Sequence, residues 1–132
     1  METTKLRAAI TAIEAYVPDY ILTNDELSSM VDTSDEWIMS RVGIRERHIL
    51  KGEYGMTFMA VKAVKALLEK NKIDPSEIGA LICSTVTPDM VFPSSSSIIA
   101  GECGIVDAMT FDMNAACAGF IHALKTASLY IE

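Results

Sequence analysis

The stretch Thr110-Phe111-Asp112-Met113-Asn114-Ala115-Ala116-Cys117-Ala118-Gly119-Phe120 constrains this chain more than any other. Ala108 to Met113 is a short apolar run bounded by turn-forming residues, which predicts a strand. Ala118 to Ile131 is almost wholly apolar or small, with His122 and Lys125 the main polar interruptions. That composition predicts a helix buried on nearly all sides. Only Asn114 and small residues separate the two, so the chain turns a tight strand-to-helix corner with Cys117 at the joint. At or near a first helical turn, free backbone N–H groups and the positive dipole end favour an anion. Such a position lowers a cysteine's pKa and enriches the thiolate, which is the nucleophile. The same N–H groups suit the oxyanion that forms when a carbonyl is attacked. Ala115, Ala116, Ala118 and Gly119 leave room for a substrate. The competing reading is a buried structural thiol, the commoner fate of a free cysteine. The strand–small–Cys–small–helix context brings the nucleophile reading level with it.

Upstream, strands and helices alternate. Leu6 to Tyr16 has the small and β-branched character of a strand, ended by Val17-Pro18-Asp19. Thr23 and Glu26 form a capping box for a short helix reaching Met30. Thr33 and Glu36 repeat that spacing and open a second short helix, closed by Gly43. This helix carries Trp37 and Arg41 one turn apart, on one face. An exposed ring beside a guanidinium can hold a planar, phosphorylated ligand, the ring stacking and the arginine meeting phosphate. Taken alone, the pair favours a core tryptophan with a surface arginine, because Trp is strongly buried on average.

Ile44 to Leu50 reads as an extended or hairpin segment, and Gly52 to Gly55 as a loop. Thr57 is expected to cap an amphipathic helix whose inner stripe is Met59, Ala60, Ala63, Val64, Leu67 and Leu68. Asp74-Pro75-Ser76-Glu77 is a turn with Pro poised at a first helical position. Ala80 to Val86 is a continuous apolar run, as in a parallel strand covered on both faces. Thr87 to Pro93 is a loop containing Phe92, which the residues alone leave even between a core or hinge aromatic and a functional one. Ser94 to Ser97 start a helix that Gly104 ends. No repeat, linker or charge tract divides the chain, so residues 1–132 read as one α/β layered domain with a mainly parallel sheet.

A net charge of −7 removes the basic footprint of a nucleic-acid binder. A local cluster of Arg41, Arg45, Arg47, His48 and Lys51 remains compatible with an acidic partner. No apolar run approaches a membrane span, and the N-terminus lacks a signal-peptide pattern, so the cytoplasm is the expected location. Cys83, Cys103 and Cys117 are widely spaced, with no CxxC pair or interleaved histidine. They are expected to be free thiols and not metal ligands.

Phe111 to Phe120 resembles the active-site segment of β-ketoacyl-acyl-carrier-protein synthase III, an initiating condensing enzyme of fatty-acid synthesis. Asp32-Thr33-Ser34-Asp35-Glu36-Trp37-Ile38-Met39-Ser40-Arg41-Val42-Gly43-Ile44-Arg45-Glu46-Arg47-His48 resembles a second signature of that family. The resemblance implies a thiolase-like fold, of which this chain is the N-terminal half of an αβαβα sandwich. It implies that Cys117 is the nucleophile, that Thr33, Trp37 and Arg41 contact the nucleotide end of coenzyme A, and that Phe92 crosses a homodimer interface to wall the partner's acyl pocket. Acyl-coenzyme A enters as a substrate and malonyl-acyl-carrier protein as the second partner, with no cofactor or metal implied. The implied chemistry is acyl transfer to Cys117, then decarboxylative Claisen condensation.

The family also uses a histidine and an asparagine that lie in its second half. Neither His48, in the arginine-rich segment, nor His122, five residues past Cys117 on the same helix, is placed to serve as that histidine. The chain stops at Tyr130-Ile131-Glu132 inside an apolar helix with no terminating signal, which reads as a piece of a longer protein, inactive alone. Two alternatives stand beside this reading. One is another thiolase-fold condensing enzyme, similar to hydroxymethylglutaryl-coenzyme A synthase, type III polyketide synthases or long-chain acyl condensing enzymes. The other is a non-enzymatic half-domain that needs a complementary chain.

Overall fold

The computed structural model describes residues 7–131. Two compact units emerge: Val17–Tyr54, and residues 7–16 together with Gly55 onward.

In the Val17–Tyr54 unit, strand β1 (Ile21–Thr23) pairs antiparallel with β2 (Glu46–His48), Leu22 facing Arg47. Helix α1 (Asn24–Ser28) follows β1 directly, and the Glu26 N–H donates to Thr23 Oγ1 at 3.2 Å. The reciprocal half of the capping box is absent, because the Glu26 carboxylate accepts the Tyr20 hydroxyl instead. Helix α2 (Asp35–Val42) is capped by Ser34 and not by the expected Thr33: the Trp37 N–H donates to Ser34 Oγ at 3.2 Å. Ser34 has the extended backbone an N-cap needs and sits three residues before that N–H, so it takes the role from its neighbour. Gly43, with φ 69°, closes α2 in the left-handed conformation.

In the other unit, the strand expected over Leu6 to Tyr16 does not form. Leu6 lies outside the described residues, and residues 7–16 make no ladder. A strand exists only where a neighbour takes up its backbone groups. Here the segment is instead held by side chains, with Tyr16 edge-on to Phe58 at 6.2 Å and Glu14 paired with Lys70. Helix α3 (Met56–Asn71) starts one residue before the expected cap Thr57. Its first amides are satisfied from afar: the Asp89 carboxylate accepts from the Met56 N–H at 2.5 Å, the Thr57 N–H at 3.0 Å and the Thr57 hydroxyl. After a 3₁₀ turn at Pro75–Glu77, capped by Asp74, comes β3 (Ala80–Ser84). It runs parallel to β4 (Met109–Met113), Ala80 facing Met109 and Ser84 facing Met113.

Helix α4 (Ser95–Glu102) lies between them in sequence, as a parallel crossover requires. Leu68 of α3, Ile99 and Ala100 of α4, Cys103 and Ile105 form the core, flanked by Leu81 and Cys83 of β3. That layer covers one side of the sheet. β3 was expected to be covered on both faces, but its inner residues are only half-buried. Helix α5 (Gly119–Ile131) was likewise expected to be enclosed, yet Gly119 alone is buried and Phe120 is 70% exposed. One flank of α5 packs on β3, and Tyr130 meets Phe111 at 6.4 Å between ring centroids. Among the described residues no element lies over its other flank.

Candidate active site

Cys117 sits in a 3₁₀ turn, Ala116–Ala118, that joins β4 to α5. The corner is sharper than a simple helix start. Ala116 holds φ 43°, a left-handed backbone that costs a residue with a Cβ about 1 kcal/mol or more. Gly119 permits the close approach of α5 to the end of β3, since a Cβ there would run into the Ser84 hydroxyl. Between this left-handed residue and this close crossing, the Cys117 side chain is exposed. The amides expected to stand open beside it are partly engaged. The Ala118 N–H donates to the Ala115 carbonyl at 3.0 Å, and the Gly119 N–H donates to the Ala116 carbonyl.

The other two thiols differ in setting. Cys83 on β3 is half-buried; burial, then the Asp112 and Asp89 carboxylates, push its thiol up to about 11. Cys103 is buried in the core with Sγ 3.9 Å from the Val61 carbonyl, and burial raises its thiol as well. Both are poor sources of thiolate near neutrality.

Two aspartates brace the elements around the corner. The Asp112 carboxylate, on β4, accepts from the Ser95 and Ser96 N–H groups at 2.8 Å each, fixing the start of α4. Burial works to raise that carboxyl, but the amide donors outweigh it and hold it below the ordinary aspartate value. Asp89 does the same for α3, its hydrogen bonds to Thr57 and Met56 outweighing burial. Phe92 precedes α4 through a cis peptide to Pro93 and is 87% exposed. The expected placement of Phe92 in a loop holds, so its ring is not a core ring within this chain.

In the Val17–Tyr54 unit, Trp37 and Arg41 do share a face of α2, and Trp37 is 58% exposed. The Arg41 guanidinium lies 5.9 Å from the indole centroid, within cation–π range. The inward side of α2 is Ile38, only 7% exposed, so the tryptophan is not the core residue its type suggests. Thr33, half-buried, precedes the cap. His48 is tied by Nδ1 to the Pro18 carbonyl at 2.5 Å, and His122 is exposed on α5. Among the described residues no group of three or more His, Cys, Asp or Glu side chains gathers as a metal site. The capping carboxylates Asp89 and Asp112 went unread in the sequence, because nothing local marks a cap supplied from another element.

No family model matches the chain. A β-ketoacyl-[acyl-carrier-protein] synthase III of Azobacteroides pseudotrichonymphae is 54% identical over 129 residues, covering 96% of this chain and 39% of the relative. A synthase III of Bacteroides thetaiotaomicron is 50% identical over 129 residues, covering 97% of this chain and 38% of the relative. Among solved structures, 3-oxoacyl-[acyl-carrier-protein] synthase III from Aquifex aeolicus superposes with a TM-score of 0.83 at 40% identity, over 91% of this chain and 40% of that one. The chain thus spans 38–39% of the length of these curated relatives.

Proposed function

We infer the function from family: this chain belongs to the β-ketoacyl-acyl-carrier-protein synthase III family of thiolase-like condensing enzymes and corresponds to about two fifths of a member's length. In a protein of full family length, Cys117 takes the acyl group from a short acyl-coenzyme A, and free coenzyme A leaves. Malonyl-acyl-carrier protein then binds and loses carbon dioxide. The carbanion so formed attacks the acyl-Cys117 thioester, and the cysteine departs as thiolate while a β-ketoacyl-carrier protein forms. Division into two half-reactions through a covalent intermediate predicts ping-pong kinetics.

The single observation that carries this reading is the exposed Cys117 at a left-handed strand-to-helix corner, in a chain about half identical to synthase III relatives. Trp37 and Arg41 on one exposed face support a role for α2 in holding the nucleotide end of coenzyme A, with Thr33 beside it. The exposed Phe92 ring suits a wall of an acyl pocket shared across a homodimer. Coenzyme A is carried in as part of the substrate, and the reaction calls on no separate cofactor. No described helix is long and apolar enough to cross a membrane.

Neither His48 nor His122 is placed to assist decarboxylation, so the 132-residue chain by itself is expected to be inactive in condensation. Steady-state kinetics test the whole reading. At full family length, acetyl-coenzyme A and malonyl-acyl-carrier protein should give parallel double-reciprocal lines, and Cys117→Ser should abolish product. Condensation that survives Cys117→Ser, or normal turnover by the 132-residue chain, would overturn it.

A further inference from the structure

We propose that Asn24 is the positioning residue for the nucleotide-holding face of α2, a proposal that rests on the coenzyme A reading of Trp37 and Arg41. Asn24 opens α1 and is 2% exposed, the most buried polar residue of its unit. Its side-chain amide is fully committed. Nδ2 donates to Asp35 Oδ1 at 2.7 Å and to the Ile44 carbonyl at 2.9 Å, while Oδ1 accepts from Arg47 Nη2 at 2.6 Å. Asp35 is the first residue of α2, and Ile44 follows Gly43, its left-handed cap. One side chain therefore grips α2 at both ends.

The grip matters because α2 has little else to orient it. Eight residues make just over two turns, too few for a helix to hold itself in water. Ile38 is its only buried residue. A helix turns about 100° per residue, so a slip of one position would carry Trp37 and Arg41 off their shared outward face. Arg47 extends the clamp to the β-ribbon: it lies on β2, and its Nη1 also reaches the Leu22 carbonyl of β1 at 3.4 Å. Asparagine suits the post because it offers two N–H donors and an acceptor from one planar group. Aspartate has the same shape and would keep the acceptor for Arg47, but it loses both donors and faces Asp35 with like charge.

Trp37 is the only tryptophan in the chain, so its emission reads this face directly. The test is a fluorescence titration of the 132-residue chain with coenzyme A, paired with acrylamide quenching in the absence of ligand. The wild type should show saturable quenching by coenzyme A. Asn24→Asp should weaken the apparent affinity at least tenfold and change the acrylamide accessibility of Trp37, with far-ultraviolet circular dichroism retained. The double variant Asn24→Asp with Asp35→Asn restores an N–H donor across the pair and should recover both readouts in part. Ile99→Ala, which loosens the core of the other unit, should move neither, which separates positioning from general destabilisation. If Asn24→Asp binds as the wild type does with Trp37 equally accessible, the Asn24 proposal is wrong and the coenzyme A reading survives. If Asn24→Asp unfolds, the double variant decides, and its failure to recover overturns the proposal. A wild-type chain whose Trp37 ignores coenzyme A sinks both together.

Discussion

Three thiols in one chain have three different surroundings, and their reactivities should separate accordingly. Cys117 is exposed, Cys103 is buried, and Cys83 is half-buried beside two carboxylates. Because the Cys83 thiol is pushed to about 11, its thiolate is scarce at pH 8 and grows only as pH rises toward that value. Iodoacetamide at pH 8, followed by digestion and mass mapping, should label Cys117 first, with Cys83 joining above pH 10 and Cys103 only on unfolding. The backbone next to Cys117 gives a second residue-level expectation. Ala116→Gly removes a left-handed penalty and should leave thermal stability unchanged or raise it by up to about 1 kcal/mol, whereas Ala116→Val should lower it. Gly119→Ala should destabilise by driving a methyl into the Ser84 hydroxyl, and adding Ser84→Ala should relieve much of that loss. The cysteine corner was legible in sequence because strand, small turn and apolar helix are local patterns. The left-handed Ala116 was not, since alanine gives no hint of positive φ.

At the scale of elements, two helices begin on carboxylates borrowed from elsewhere. Asp112 caps α4 and Asp89 caps α3, and both carboxyls are held below their ordinary range. A carboxyl whose folded pKa is depressed stabilises the fold above its unfolded value of about 3.9, and that contribution fades as pH falls through the folded value. Thermal melts should therefore be flat from pH 7 to 5 and drop below about pH 4. Asp112→Asn should flatten part of that acid drop while lowering stability at pH 7 by about 1–2 kcal/mol, as for other lost caps. The caps Thr23 and Gly43 were legible from spacing, whereas spacing pointed to Thr33 and Thr57 where Ser34 and Gly55 hold the cap positions. Those supplied across 16 or 17 residues by Asp112 and 32 or 33 residues by Asp89 could not be read, and the same holds for the pairing of β1 with β2. The expected first strand failed for a related reason: strand character in a sequence predicts a ladder only if a neighbour supplies the other half.

For the molecule as a whole, the exposed flank of α5 is the leading physical fact. Ile121 and Leu129 leave apolar surface open, and Phe120, Tyr130 and Ile131 line a groove of about 960 Å³ with Ala80 and Ile82 of β3. Surface of that kind promotes association. Sedimentation of the purified chain should show concentration-dependent self-association, and an anilinonaphthalene dye should brighten on binding; a dye-silent monomer at every concentration tried would count against an open face. Alternating strands and helices were legible here, and so was the apolar character of α5. Its actual exposure was not, because composition reports what a surface needs and not whether this chain supplies it. The account turns most directly on which atom accepts an acyl group. Incubating the chain with acetyl-coenzyme A and mapping the added acetyl mass after digestion should place it on Cys117 and nowhere in Cys117→Ser. An acetyl group found on Cys83 or Cys103 while Cys117 stays free would contradict it.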